Sequence, residues 1–156
     1  METIILGLGN LQFADDGAGV LVARALKPQL AGRDLVVEET SGVGLDALPI
    51  LEGFKKAFIV DAVQTAEGRP GAIYRLREDE IAPSSQSTAH SMDILSALKL
   101  GRKHGLELPG EIIFFGIEAR DIDVPRESCS LPVRDAIPVC TEMILQELVT
   151  IRRNSA

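Results

Sequence analysis

The chain has 156 residues, close to the ~150 that set a one-domain prior. It is 46% hydrophobic and 25% charged, which excludes a disordered chain. Its 16 Lys+Arg against 23 Asp+Glu leave a formal net charge of -7, so the cationic surplus that a nucleic-acid binder needs is missing. A chain of this length buries roughly two-thirds of its unfolded surface and needs no disulfide or metal staple. Its two cysteines, Cys129 and Cys140, make no disulfide framework and fit a reducing cytosol. Met1-Glu2-Thr3 lacks the positive start of a secretory signal, and no run approaches the ~18 apolar residues of a membrane span. The expectation is one acidic cytoplasmic domain over residues 1–156, bound to neither nucleic acid nor membrane.

Five apolar runs alternate with helical patterns. The first, Thr3 to Leu8, is followed by Gly9-Asn10, and Ala18, Leu21, Val22, Ala25 and Leu26 then mark one helical stripe. Pro28 should end or kink that helix, because it has no N–H to donate. A second run, Leu35 to Glu38, precedes a short helix over Leu45 to Leu51. The third run, Ala57 to Val60, ends at Asp61, and the fourth, Ala72 to Leu76, follows a Pro70-Gly71 turn. A Ser-rich loop, Ile81 to Ala89, leads to a helix from about His90 to Lys103, with Gly105 as its stop. After the fifth run, Ile112 to Ile117, a last helix carries Val133, Ala136, Cys140, Ile144 and Leu148 on one face. Pro138 should bend this helix or mark its true first turn, and Arg152 to Ala156 reads as a frayed tail. Runs one, three and five are continuously apolar, as central strands covered on both faces are, whereas the fourth is mixed and suits an edge. The fold class is therefore α/β: a single three-layer domain with a mostly parallel five-stranded sheet and helices on both faces.

In such a sheet ligands bind beyond the carboxyl ends of the strands. The sequence sends Asp16 there after the first strand, Asp61 at the end of the third, and His90 at the start of a helix. Two carboxylates and one imidazole suit a borderline divalent ion such as nickel, zinc or iron, with coordination positions left for a substrate. Each residue also has a plainer reading. Asp15 or Asp16 could cap the helix that follows, Asp61 could be a buried carboxylate with a structural partner, and His90 could be a solvated loop residue. Cys140 reads as core and Cys129 as an exposed thiol without a neighbouring base. Other chemistries lack their residues: Gln12 stands at the third glycine of a dinucleotide loop, and neither a phosphate loop, an H-E-x-x-H pair nor a G-x-S-x-G elbow occurs.

Ile5-Leu6-Gly7-Leu8-Gly9-Asn10 and Asp15-Asp16-Gly17-Ala18-Gly19-Val20 resemble the opening of the hydrogenase maturation endopeptidases. The likeness continues through Ser41-Gly42-Val43-Gly44-Leu45, Ile59-Val60-Asp61-Ala62-Val63, His90 to Leu98, and Phe115-Gly116-Ile117-Glu118. Asp16 stands where relatives often have Glu, and Ser41 where many have Gly. The resemblance implies an endopeptidase that removes a C-terminal extension from the precursor of a nickel–iron hydrogenase large subunit. It also implies that Asp16, Asp61 and His90 form the catalytic, metal-contacting site. The nickel would be carried by the substrate, with weak or no binding to the isolated protein, and a monomer is expected. Two alternatives remain at this point. Gly7-Leu8-Gly9-Asn10 also occurs in peptidyl-tRNA hydrolases, though Leu11-Gln12 follows here in place of Pro-Gly. A noncatalytic metal-sensing chaperone for the precursor is the other.

Overall fold

The computed structural model describes the backbone of residues 2–42, 44–81 and 89–155, and their side chains except at 89–93 and 155. Each apolar run forms a strand: β1 (Thr3–Leu8), β2 (Val36–Thr40), β3 (Lys56–Val63), β4 (Ile73–Arg77) and β5 (Glu111–Glu118). Four helices join them: α1 (Ala18–Gln29), α2 (Leu48–Leu51), α3 (Ala89–Lys103) and α4 (Leu131–Ser155). The sheet order is β2-β1-β3-β5-β4, parallel except for β4, which pairs antiparallel with β5. The continuously apolar strands are thus the inner three, and the mixed fourth run is an edge, as its pattern indicates.

Successive residues of a strand point to opposite faces, and the sheet's apolar side chains split accordingly. Phe58, Val60 and Ala62 pack with Val22 and Leu26 of α1 and with Val133 and Ile144 of α4. Ala57 and Ile59 pack with Leu51 of α2 and with Ile94 and Leu98 of α3. Burying each large aliphatic or aromatic side chain contributes roughly 1.5–3 kcal/mol, so both helical layers are held by the same strands. By this alternation Asp61 lies on the face that α3 covers.

Two glycines bring α1 unusually close to the sheet. A Cβ on Gly19 would stand 2.2 Å from the Val60 carbonyl oxygen and 2.5 Å from that of Leu8. A Cβ on Gly7 would stand 2.4 Å from the Gly19 carbonyl oxygen. Both obstacles are backbone, so any larger residue would push α1 outward. This approach sets the turn before α1 against the end of β3.

The structure departs from the sequence reading in four places. β3 does not stop at Asp61: Ala62 and Val63 continue the ladder opposite Ile117 and Glu118, because their side chains are also buried. α4 begins at Leu131 and runs through Pro138, so that proline is not in its first turn. The tail is helical through Ser155 rather than frayed from Arg152. Cys129 is buried rather than exposed, its thiol directed to the Ala14 carbonyl oxygen at 3.7 Å. Pro28 does end α1, which closes one residue later at Gln29. Most of the Ser-rich loop lies outside the described residues.

Candidate functional site

Between β1 and α1 the chain must turn sharply, and Gly9 makes this possible. Its φ of +139° is open to glycine, and a Cβ there would overlap the Asp16 carbonyl oxygen at 1.9 Å. A short 3-10 helix, Ala14–Gly17, follows. Neither Asp15 nor Asp16 caps α1, whose N-cap residue is Gly17 with no side-chain bond. The two adjacent carboxylates diverge instead.

Asp15 is fully buried and saturated with donors. Its carboxylate accepts the backbone N–H groups of Arg120 (2.9 Å), Asp121 (3.0 Å) and Ser130 (2.6 Å), and the Ser130 hydroxyl (2.8 Å). Burial opposes ionisation, but these donors outweigh it and hold the carboxyl below the usual range. The sequence reading weighed Asp15 only as a cap. No local pattern signals its role, since its donors lie more than 100 residues away.

Asp16 and Asp61 are the pair that the sequence reading singles out, and the fold brings them together. Both are buried, at 7% and 5% exposure. Asp16 accepts the Asn10 N–H at 3.0 Å. Asp61 accepts the N–H of Ala62 at 2.8 Å through Oδ1, while its buried Oδ2 has no hydrogen-bond partner among the described residues. Burial, and then the nearby Asp16 charge, push the Asp61 carboxyl well above the usual carboxylate range, and the Ala62 N–H only partly opposes them. Two buried carboxylates near enough for one charge to act on the other, one with an oxygen unpartnered among the described residues, form an anionic pair that a proton or a cation would relieve. Among the described residues no group of three His, Cys, Asp or Glu side chains could hold a metal ion. His90 stands at the second residue of α3, the helix covering the face to which Asp61 belongs, and its side chain lies outside the described residues.

A fourth buried carboxylate, Glu118, escaped the sequence reading as a functional group although it too ends an apolar run. It accepts the Thr65 N–H (2.9 Å), the Thr65 hydroxyl (2.5 Å) and the Tyr74 hydroxyl (2.9 Å). Together with the bond from the Gly71 N–H to the Glu118 carbonyl oxygen, these contacts fasten the β3–β4 connection over the end of β5. Tyr74 lines a small cavity beside Asp61 with Leu76 and Phe114. The thiols offer no nucleophile. Burial and then the Asp15 charge push Cys129 up, and burial pushes Cys140 up to about 12.

Comparison with known proteins identifies the family of this fold. The model of the HycI hydrogenase maturation protease family matches residues 20–147. The delta subunit of the coenzyme F420 hydrogenase of Methanothermobacter thermautotrophicus is 30% identical over 156 residues, covering 94% of each chain. The hydrogenase 3 maturation protease of Escherichia coli is 31% identical over 141 residues, covering 88% of this chain and 85% of its own. Among solved structures, the [NiFe] hydrogenase maturation protease HybD of Thermococcus kodakarensis superposes with a TM-score of 0.76 at 28% identity, covering 94% of this chain and 98% of its own. The endopeptidase HybD of Escherichia coli shares the fold at a TM-score of 0.80 and 23% identity, over 96% and 93% of the two chains. These matches favour the peptidase over the peptidyl-tRNA hydrolase and chaperone alternatives. The chain belongs to the hydrogenase maturation protease family and is a peptidase.

Proposed function

We propose that the enzyme removes a C-terminal extension from the precursor of a nickel–iron hydrogenase large subunit, and that Asp16, Asp61 and His90 meet the nickel carried by that precursor. The observation that carries this reading is the Oδ2 of buried Asp61, unpartnered among the described residues and under the influence of the Asp16 charge. Leaving a carboxylate oxygen buried and unbonded costs free energy in the free enzyme, and a divalent cation arriving with the substrate would recover it. Burial and the Asp16 charge favour the protonated form of Asp61, so an incoming ion competes with a proton there, which weakens binding of free nickel to the isolated protein. An imidazole from His90 would add the nitrogen donor that nickel favours over oxygen alone.

In this arrangement cleavage begins only when the cation is present. A nickel-polarised carbonyl or a nickel-activated water would supply the electrophile or the nucleophile. A carboxylate of the pair, once deprotonated, could accept the proton of the attacking water. The acidic chain works in the cytoplasm as a monomer, with the precursor as its protein partner. Supporting this are the sparse cysteines, the net charge of -7, and the fact that no described helix is long and apolar enough to cross a membrane.

The test is to mix the protein with nickel-loaded and nickel-free precursor and to read the precursor mass. The expected result is shortening of the loaded form alone. Equal shortening of both, or of neither, would overturn the reading. The His90→Ala variant should leave the loaded precursor at full length while keeping the circular dichroism of the parent.

A further inference from the structure

We propose that Asp15 is a positioning residue: its carboxylate clamps both ends of the β5–α4 connection to the turn at Ala14–Gly17 and so fixes the place of the Asp16 carboxylate. The turn is strained. Ala14 has φ +45°, a left-handed conformation that is unfavourable for a non-glycine residue and persists only where the surroundings over-determine it.

Those surroundings are the connection from Ala119 to Ser130. The Ala14 N–H donates to the Arg126 carbonyl oxygen at 2.6 Å, the Asp15 N–H to that of Asp121 at 2.9 Å, and the Arg126 N–H to that of Gln12 at 2.9 Å. The Cys129 thiol reaches the Ala14 carbonyl oxygen. Within this lacing the Asp15 carboxylate receives Arg120 and Asp121 from the start of the connection and Ser130 from its end. It thus joins both ends of the connection to the turn.

On the other side of the same peptide, Asp16 turns away. Its N–H donates to the Phe13 carbonyl oxygen at 2.9 Å, and its Oδ2 receives the Asn10 N–H at 3.0 Å. Two neighbouring carboxylates therefore divide the work, one gripping the connection and one, held by the Asn10 N–H, placing its charge where it acts on Asp61. A shift of the first along this tight turn must move the second.

The residue has no partner in the reaction itself, so its test needs a reporter of the Asp16 position. The Asn10 amide resonance serves, because its N–H is bound to the Asp16 carboxylate, and the Asp16→Asn variant marks where it moves when that carboxylate is lost. In the full-length Asp15→Asn protein the Asn10 resonance should move toward the Asp16→Asn position. On nickel-loaded precursor kcat should fall about 10- to 100-fold with KM unchanged. If the Asn10 resonance keeps its parental position, Asp15 does not position Asp16 and the proposal fails. Should Asp15→Asn not fold, Ser130→Ala removes only the hydroxyl donor and should displace the same resonance in the same direction by less; an unmoved resonance there also overturns the proposal. The kinetic arm rests on the precursor reading above, whereas the resonance arm needs neither nickel nor precursor. An enzyme inert on precursor whose Asn10 amide still responds would therefore contradict that reading and uphold the clamp.

Discussion

Asp15 and Asp61 are both buried carboxylates at the same end of one sheet, yet their surroundings are opposite. The β5–α4 connection surrounds Asp15 with three N–H groups and a hydroxyl. The end of β3 offers Asp61 a single N–H, an unpartnered oxygen among the described residues, and a second carboxylate close by. A buried charge that the chain satisfies by itself is part of the framework. One that the chain leaves short of donors, against another of the same sign, is poised for something that comes from outside.

The sharpest way to break this contrast is catalytic. Asp61→Asn and Asp16→Asn should each lower processing of nickel-loaded precursor by about 100-fold or more, the scale expected when several kcal/mol of cation-assisted stabilisation are lost. A rate within a factor of about three, too small a change to reflect a lost cation contact, would place that residue outside the site.

Next in size is the effect on stability, where the two carboxylates should behave oppositely. Asp15→Ala removes the acceptor of three part-buried N–H groups, each bond contributing about 0.5–1.5 kcal/mol, so urea unfolding should show a loss of about 1.5 kcal/mol or more. Since the folded-state carboxyl of Asp15 lies below the usual range, its contribution is present above the unfolded pKa and is lost as pH falls through the folded value. A parental urea midpoint for Asp15→Ala would show that its donors are satisfied without it.

Asp61 should give the reverse result. Its folded-state carboxyl lies well above the usual range, so the folded chain binds more protons than the unfolded chain between the ordinary Asp value of about 3.9 and the raised one. Its favourable contribution is complete below the unfolded value and is lost as pH rises through the folded value. Asp61→Asn should therefore raise stability at neutral pH, read as a higher urea midpoint. The gain should shrink as pH falls through the raised folded-state value and be gone below the unfolded Asp value of about 3.9. Equal destabilisation by Asp61→Asn at all pH values would mean that Asp61 is a framework residue like Asp15.

The smallest effect concerns Cys129, which touches the Asp15 turn. Burial and the Asp15 charge hold its thiol protonated, so the parental protein should react slowly with iodoacetamide. Asp15→Asn should speed that reaction a few-fold, since it removes a nearby negative charge. No change in rate would mean that burial alone governs the thiol.

Which strands are central was legible because parallel strands covered on both faces must be apolar throughout, as Ile4 to Leu6 and Ala57 to Val60 are. Asp16 and Asp61 were legible for a related reason. A carboxylate directly after an apolar run stands out against its neighbours, and parallel strands deliver such residues to one rim. Glu118 gave the same signal, but its partners Thr65 and Tyr74 sit on another strand and its connection, beyond any local spacing. Asp15 was not legible at all: beside Asp16 it reads as a cap, and only the return of the chain at Arg120 and Ser130 reveals what it holds. The course of α4 through Pro138 was hidden too, because its buried face, with Val133, Cys140 and Ile144, favours continuity more than the missing N–H opposes it.

The most direct measurement is the pH titration of the Asp61 side-chain carboxyl by carbon NMR in the full-length protein without added metal. The account predicts a midpoint well above the ordinary value of about 3.9, falling in Asp16→Asn as the neighbouring charge is removed. An ordinary midpoint in the parental protein, unaltered by that substitution, would mean that the chain already satisfies Asp61 and has left nothing there for an incoming cation.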